Sequence, residues 1–295
     1  MKLDPFIEVE KTAGHSVQKT CGLFEVSRAA YYQRSNGTPS DRARTDAELA
    51  EQIQAVHAES KGTYGSPRIH RELGHRGVVC GRRRVTRLMR LAGLEGRCKK
   101  RWRKTTVADP EAEAAKDLIQ RRFDPGEEID RRYVGDITYI ATWEGWAYLA
   151  TVIDLASRKV VGWSLADHMR TELVEDALSM VFETRSPAKG VVFHSDRGCQ
   201  YTSKDFADLA RQNGVVLSVG RKGECWDNAV AESFFATIKR ELVDTRSWPT
   251  RAGLHRAVFE YIEGWYNTRR LHSTLGYLSP AQYEAVHHNA GRQAA

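Results

Sequence analysis

Three β-patterned runs follow one another almost without interruption in the middle of this chain: YVGDITYIAT (133–142), WAYLATVIDL (146–155) and KVVGWSLA (159–166). Only the turn segments WEG and ASR separate them. Links that short join strands antiparallel, because a parallel crossover needs about a dozen residues or more. The pattern then changes to alternation: an amphipathic helix near 170–184, a strand at 190–196, a helix at 203–213, a strand at 215–219, and, after the loop GRKGECWDN, a helix at 229–242. A meander followed by alternating helices and strands predicts an α/β fold with a mixed five-stranded sheet flanked by helices.

The N-terminal part has a different texture. VQKTCGLFEVSRAAYYQ (17–33) predicts two short helices around a turn, the second capped by Ser27, in the manner of a small helix-turn-helix. Residues 44–58 show helical spacing through Leu49, Ile53 and Val56. In 64–96, Pro67 suits a first helical turn, Ile69 and Leu73 face inward, GHRG turns, and Val85, Leu88 and Leu91 give the stripe of a second helix. The expected divisions are an N-terminal helical region (1–60), a basic helix-turn-helix region (61–104), a linker (105–125), a mixed-sheet core with C-terminal helices (126–285) and a tail (286–295).

Charge is unevenly spread. The chain carries +7 in all, yet Lys61–Lys104 holds fifteen basic residues against Glu72 and Glu95, +13, which leaves −6 for the rest. Such polarity fits an electrostatic footprint for a polyanion, since cationic side chains displace the counterions condensed on a phosphate backbone. Arg82, Arg83, Arg84, Arg87 and Arg90 line the outer side of the second helix and are the expected phosphate contacts. Other classes are excluded or disfavoured. No apolar run reaches the ~18 residues of a membrane span, and the first residues show no secretory signal, so a cytoplasmic protein is expected. The five cysteines include no C-x-x-C pair, and His70, His75, Cys80 and Cys98 match no common zinc spacing. No zinc site is expected.

Three acids stand where this layout can bring them together. Asp136 interrupts the apolar strand YVGDITYI, Asp196 ends the fourth strand, and Glu232 lies in the first turn of the helix after the glycine-containing loop. Each alone has an ordinary reading as a turn former or helix-dipole partner. Together, on neighbouring strand ends and a helix packed across them, they repel unless a cation intervenes, and all-oxygen ligation selects Mg²⁺ or Mn²⁺. Asp154, in TVIDL, is a similar acid read as structural or supporting. Asn228 suits a cap for the last helix, and Trp226 suits either a base stack or a core anchor. His194 and Arg197, with Gly198 and Gln200 to Ser203, shape the turn around Asp196 or contact DNA.

The strings GDITYI, GWAYLATVIDLASRKVVGW, HSDRGCQYTS, RKGECWDNAVAESFFATIKREL and YNTRRLHSTLGYLSP resemble the integrase core of bacterial transposases of the insertion-sequence-3 family, specifically the second reading frame product (OrfB). The resemblance spans about residues 60–285, the YGSPRI segment included, and departs from the family at Tyr133, where tryptophan is frequent, and at LSVGRKG. It implies an RNase H-like core whose DDE triad is Asp136, Asp196 and Glu232, binding two Mg²⁺ ions with Mn²⁺ as substitute. Lys239, seven residues beyond Glu232 and on the same helix face, is matched to the family's basic residue, a contact for a terminal phosphate. Double-stranded DNA at terminal inverted repeats, target DNA, a homo-oligomer on DNA and an upstream-frame product or frameshift fusion are the implied partners, in the bacterial cytoplasm at the nucleoid. The expected reaction is metal-dependent strand cleavage and transfer; the alternatives are an inactive DNA-binding regulator and an RNase H-type nuclease.

Overall fold

The computed structural model describes residues 3–37, 39–97, 128–219 and 229–293. The expected linker 105–125 and the residues Cys98, Cys225, Trp226 and Asn228 lie outside them. Two compact units, Met1–Gly96 and Arg97–Ala295, make up the chain.

The first unit is all helical. A helix that sequence periodicity passed over, α1 (Asp4–Thr12), carries Pro5 in its first turn and buries Ile7 against Cys21 and Tyr31. It packs with α2 (Val17–Leu23), while α3 (Arg28–Ser35) starts at Ser27, whose hydroxyl accepts from the Ala30 N–H. Ser40 caps α4 (Asp41–Glu59) in the same way, accepting from Ala43. Helices α5 (Ser66–His75) and α6 (Arg82–Leu91) follow, and all three pairs among α4, α5 and α6 are in contact. The expected division at 60/61 therefore cuts through one body. Ile53 and Val56 of α4 share a core with Ile69, Leu73 and Val85, so α4 completes the basic helix pair instead of preceding it. Leu91 was expected in the stripe of α6 but is 74% exposed, and Met89 takes the buried place. Met89 lies one residue from Leu88 and four from Val85, which keeps it on the packed side of a 3.6-residue turn.

The second unit is built on the expected sheet. Strands β1 (Arg132–Thr142), β2 (Gly145–Asp154) and β3 (Val160–Ala166) form the meander, and β4 (Val192–Ser195) and β5 (Val216–Val219) add in parallel. The order is β3-β2-β1-β4-β5. Helix α7 (Thr171–Thr184) lies on β3 and β2, burying Leu173, Ala177, Leu178 and Val181. That approach requires Gly162: a Cβ there would meet the Ala177 carbonyl oxygen at 2.1 Å. Helix α8 (Lys204–Gln212) leads into β5, and α9 (Ala229–Glu241) packs on β1 and β2. Beyond it come α10 (Arg251–Tyr261), a π turn (Ile262–Tyr266) and α11 (Pro280–Gln293). The expected tail at 286 falls inside α11. Glu284 roots that helix: it accepts from Ser157 Oγ (3.0 Å), Lys159 Nζ (2.8 Å) and Arg185 Nη2 (2.6 Å). Burial opposes its ionisation, but Arg185 and Lys159 outweigh that and hold its pKa below the ordinary value.

Candidate active site

The sheet positions the first two acids. Asp136 sits mid-strand in β1 opposite Thr151 of β2. On its other side β4 runs parallel, with Val134 paired to His194. The same offset carried two residues further sets Asp136 beside Asp196, just past the end of β4, and neighbouring strands are about 4.8 Å apart. Gly135 makes the close approach possible. A Cβ there would strike the Phe193 ring at 2.2 Å, so the ring can lie over β1 only where that residue has no side chain. Phe193 in turn packs with Tyr201 and Phe206, centroids 5.9 Å and 5.4 Å away. Asp196 is exposed, and its Oδ1 accepts the Gly198 N–H at 3.0 Å. Tyr201 is buried at the edge of both acids: burial raises its hydroxyl pKa, and the charges of Asp136 and Asp196 raise it further.

Helix α9 supplies the rest. Glu232 is exposed in its first turn, and partial desolvation pushes its carboxyl up. Lys239, two turns on, places its ammonium 5.3 Å from the Tyr139 ring centroid on β1. The far end of the helix is tied down by Glu241, which accepts from Arg270 Nη2 (2.8 Å) and the Tyr261 hydroxyl (2.9 Å). Both partners of that ion pair are almost fully buried, at 5% and 1% side-chain exposure.

Electrostatics shows which groups feel one another. Asp136 is pushed up to about 7, first by burial and then by the charges of Asp196 and Glu232; its own bond from the Ile137 N–H (2.8 Å) and the Lys239 ammonium pull the other way. Among the described residues no three of His, Cys, Asp or Glu stand close enough to hold a single ion. The acids thus share a field without forming a closed ligand shell. As a donor set, three mutually repelling carboxylates fit a hard divalent cation and offer nothing to a soft one.

The integrase core domain family matches residues 127–225 and, in a second form, 213–280, while a helix-turn-helix-like domain family matches 44–102. The chain is 34% identical over 284 residues to the transposase InsF of insertion sequence IS3A from Escherichia coli, covering 95% of this chain and 98% of that one. It is 40% identical over 236 residues to the transposase of IS904 from Lactococcus lactis, covering 80% and 93%. The chain belongs to the IS3 family of insertion-sequence transposases. A further relative is the 31 kDa protein of insertion element IS600 from Shigella sonnei, 37% identical over 268 residues, with 91% and 98% covered. Among solved structures, the HTLV-2 integrase catalytic core in complex with magnesium is similar at TM-score 0.40 and 15% identity, covering 52% of this chain and 96% of that one.

Two supporting residues of this transposase serve the scaffold. Asp154 is fully buried at the end of β2, where Oδ2 accepts from Ser157 N (2.8 Å) and Ser157 Oγ (2.7 Å), closing the turn into β3. His194 is 1% exposed inside β4, its Nδ1 2.9 Å from Ser218 Oγ on β5. A buried ring held across two strands has no access to DNA. Gln200 donates to the Met169 carbonyl (2.8 Å) and Ser203 caps α8, so this turn is internally braced.

The arginines of α6 divide. Arg84 and Arg87 both bind Asp46 of α4, each at 2.6 Å, and these bonds with Thr45 turn them toward the helix bundle. Arg82, Arg83 and Arg90 are exposed, with no ion pair among the described residues. His70 Nε2 is 3.0 Å from the Cys80 carbonyl oxygen, tying α5 to the residues before α6. No helix among the described residues is long and apolar enough to cross a membrane.

Sequence reasoning missed Gly135, whose missing side chain lets Phe193 lie over β1, and named Tyr201 only within the turn around Asp196, without its burial in the field of both aspartates. A glycine directly before a charged residue in an apolar strand was the available signal. It also passed over Tyr139, Trp143 and Trp146, taken only as strand and turn residues.

Proposed function

We propose that this transposase cleaves and joins DNA strands at insertion-sequence ends, with Asp136, Asp196 and Glu232 as the metal-holding catalytic carboxylates. The observation that carries this reading is Asp136 itself: a carboxylate in the middle of an apolar strand, in the field of both other acids. Two Mg²⁺ ions, or Mn²⁺ in their place, would activate the attacking hydroxyl and neutralise the leaving oxygen of an in-line displacement at phosphorus. Asp136 and Asp196 supply oxygens from the sheet and Glu232 from the helix. Lys239 offers a positive charge two turns along α9, placed to hold a phosphate next to the scissile bond. The chain's contribution is charge and position: water attacks first to free a 3′-hydroxyl, and that hydroxyl then attacks a phosphodiester of a second strand and displaces its 3′-oxygen, with no covalent protein intermediate.

Arg82, Arg83 and Arg90 supply phosphate contacts to the terminal inverted repeats, with Arg84 and Arg87 shaping the helix bundle behind them. Several copies of the chain bridge two ends, together with the upstream-frame product or as a frameshift fusion, in the bacterial cytoplasm. The test is strand transfer from a labelled inverted-repeat end. Wild type is expected to give cleaved and joined products with Mg²⁺ or Mn²⁺ and none with chelator. Asp196→Asn and Glu232→Gln should lose product on the order of 10³-fold or more while still binding DNA. Product formation by either variant would overturn the triad. Wild type that binds ends but gives no product would mark a regulator, and cleavage without joining would mark a nuclease.

A further inference from the structure

Large aromatic rings are costly to leave in water, and contiguous exposed ones mark interaction surfaces. Three lie on the β1–β2 hairpin: Trp143, at its turn, is 76% exposed, Tyr139 60% and Trp146 51%. Tyr139 pairs across the sheet with Tyr148, two residues from Trp146, which puts Tyr139 and Trp146 on one face. Their rings meet edge to face, centroids 5.2 Å apart at 90°.

The hairpin is braced. Thr142 Oγ1 donates to the Gly145 carbonyl (2.6 Å), and Trp143 N donates to the Trp248 carbonyl (3.0 Å). Arg251 closes the other side, its backbone N donating to Glu144 Oε2 (2.7 Å) and its Nε to the Trp146 carbonyl (3.1 Å). Gly145 is at φ +106°, and a Cβ there would meet Arg251 Nη2 at 2.9 Å. The rings are therefore presented on a fixed support.

What lies beside the rings indicates the occupant. The Lys239 ammonium is over the Tyr139 ring. Tyr139 and Asp136, three residues apart on β1, point to opposite faces of the sheet, and Lys239, whose charge also reaches Asp136, links the two. A protein partner's interface core is depleted of charge. Rings with a cation beside them instead suit a nucleotide, the base stacking and the phosphate meeting the ammonium. We infer that Tyr139, Trp143 and Trp146 form a stacking platform for unpaired nucleotides of the DNA end, next to the phosphodiester that reacts. This rests on the reading of the acid cluster as a DNA-cleaving site. The duplex is recognised through its backbone elsewhere, and the platform selects ends whose terminal bases have come apart.

The experiment uses the full chain carrying Asp196→Asn, without divalent metal, so that binding is read apart from chemistry. Two labelled ends are compared, one fully paired and one with three unpaired terminal nucleotides bearing 2-aminopurine. The parent should prefer the unpaired end by about tenfold and quench the fluorophore by stacking. Trp143→Ala with Trp146→Ala should abolish both effects without weakening the paired end, whereas Trp146→Phe should keep most of them. Absence of a preference in the parent, or its persistence in the double alanine variant, would overturn the platform. Loss of self-association in that variant with the preference intact would assign the face to a second copy of the chain, overturning it equally. Failure of strand transfer by wild type with Mg²⁺, with these binding effects intact, would count against the proposed reaction alone.

Discussion

Asp136 lies in the field of Glu232, and the two are held by different physics. Asp136 is fixed by backbone: β1 is hydrogen-bonded to β2 along its length and to β4 over its first residues, and Gly135 lets Phe193 close over the strand. Glu232 is fixed by side chains, because α9 rests on β1 and β2 and is pinned at its other end by the buried Glu241–Arg270–Tyr261 cluster. A sheet-borne carboxylate keeps its place at an electrostatic cost. A helix-borne one keeps its ordinary solvation for the most part, and its position depends on an anchor nine residues away in sequence.

The comparison breaks hardest at that anchor. Arg270→Met leaves the buried Glu241 without its guanidinium, and breaking a buried ion pair in this way costs about 3–5 kcal/mol. Thermal or urea unfolding of the full chain should show that loss, with transfer activity falling more than DNA binding. Activity and binding falling in parallel would show that the cluster serves stability alone. A smaller effect sharpens the sheet side. Because burial and neighbouring acids push Asp136 up to about 7, its ionisation costs more in the folded protein than in the unfolded chain. Metal-free wild type should therefore lose stability relative to Asp136→Asn as pH rises from about 4 to 8, by about 2 kcal/mol after allowance for screening. A gap that shrinks with rising pH would show that Asp136 is favoured as the anion.

The smallest expected effect separates the arginines of α6. Arg82→Ala, Arg83→Ala or Arg90→Ala should each reduce the salt dependence of DNA binding by about one phosphate contact, a slope change near 0.9. Arg87→Ala, which removes one of the two partners of Asp46, should act on the stability of the first unit and leave that slope alone. A slope change as large for Arg87 as for Arg82 would place both on the DNA.

Periodicity, turn chemistry and charge were enough to lay out the strand order, the meander, the helices from α2 to α9, the polarised basic segment and the positions of the three acids. Those signals are local, recurring every two or 3.6 residues, and an aspartate inside an apolar strand is visible without coordinates. Partnership across sequence is another matter. Only the tertiary structure decided that Asp46 takes Arg84 and Arg87, that His194 lies buried on Ser218, that α4 belongs with α5 and α6, and that Tyr139, with Trp146 against it, stands exposed beside Lys239. The reason is that a side chain's neighbours are set by strand register and helix packing over tens of residues, and one linear pattern is compatible with many such arrangements.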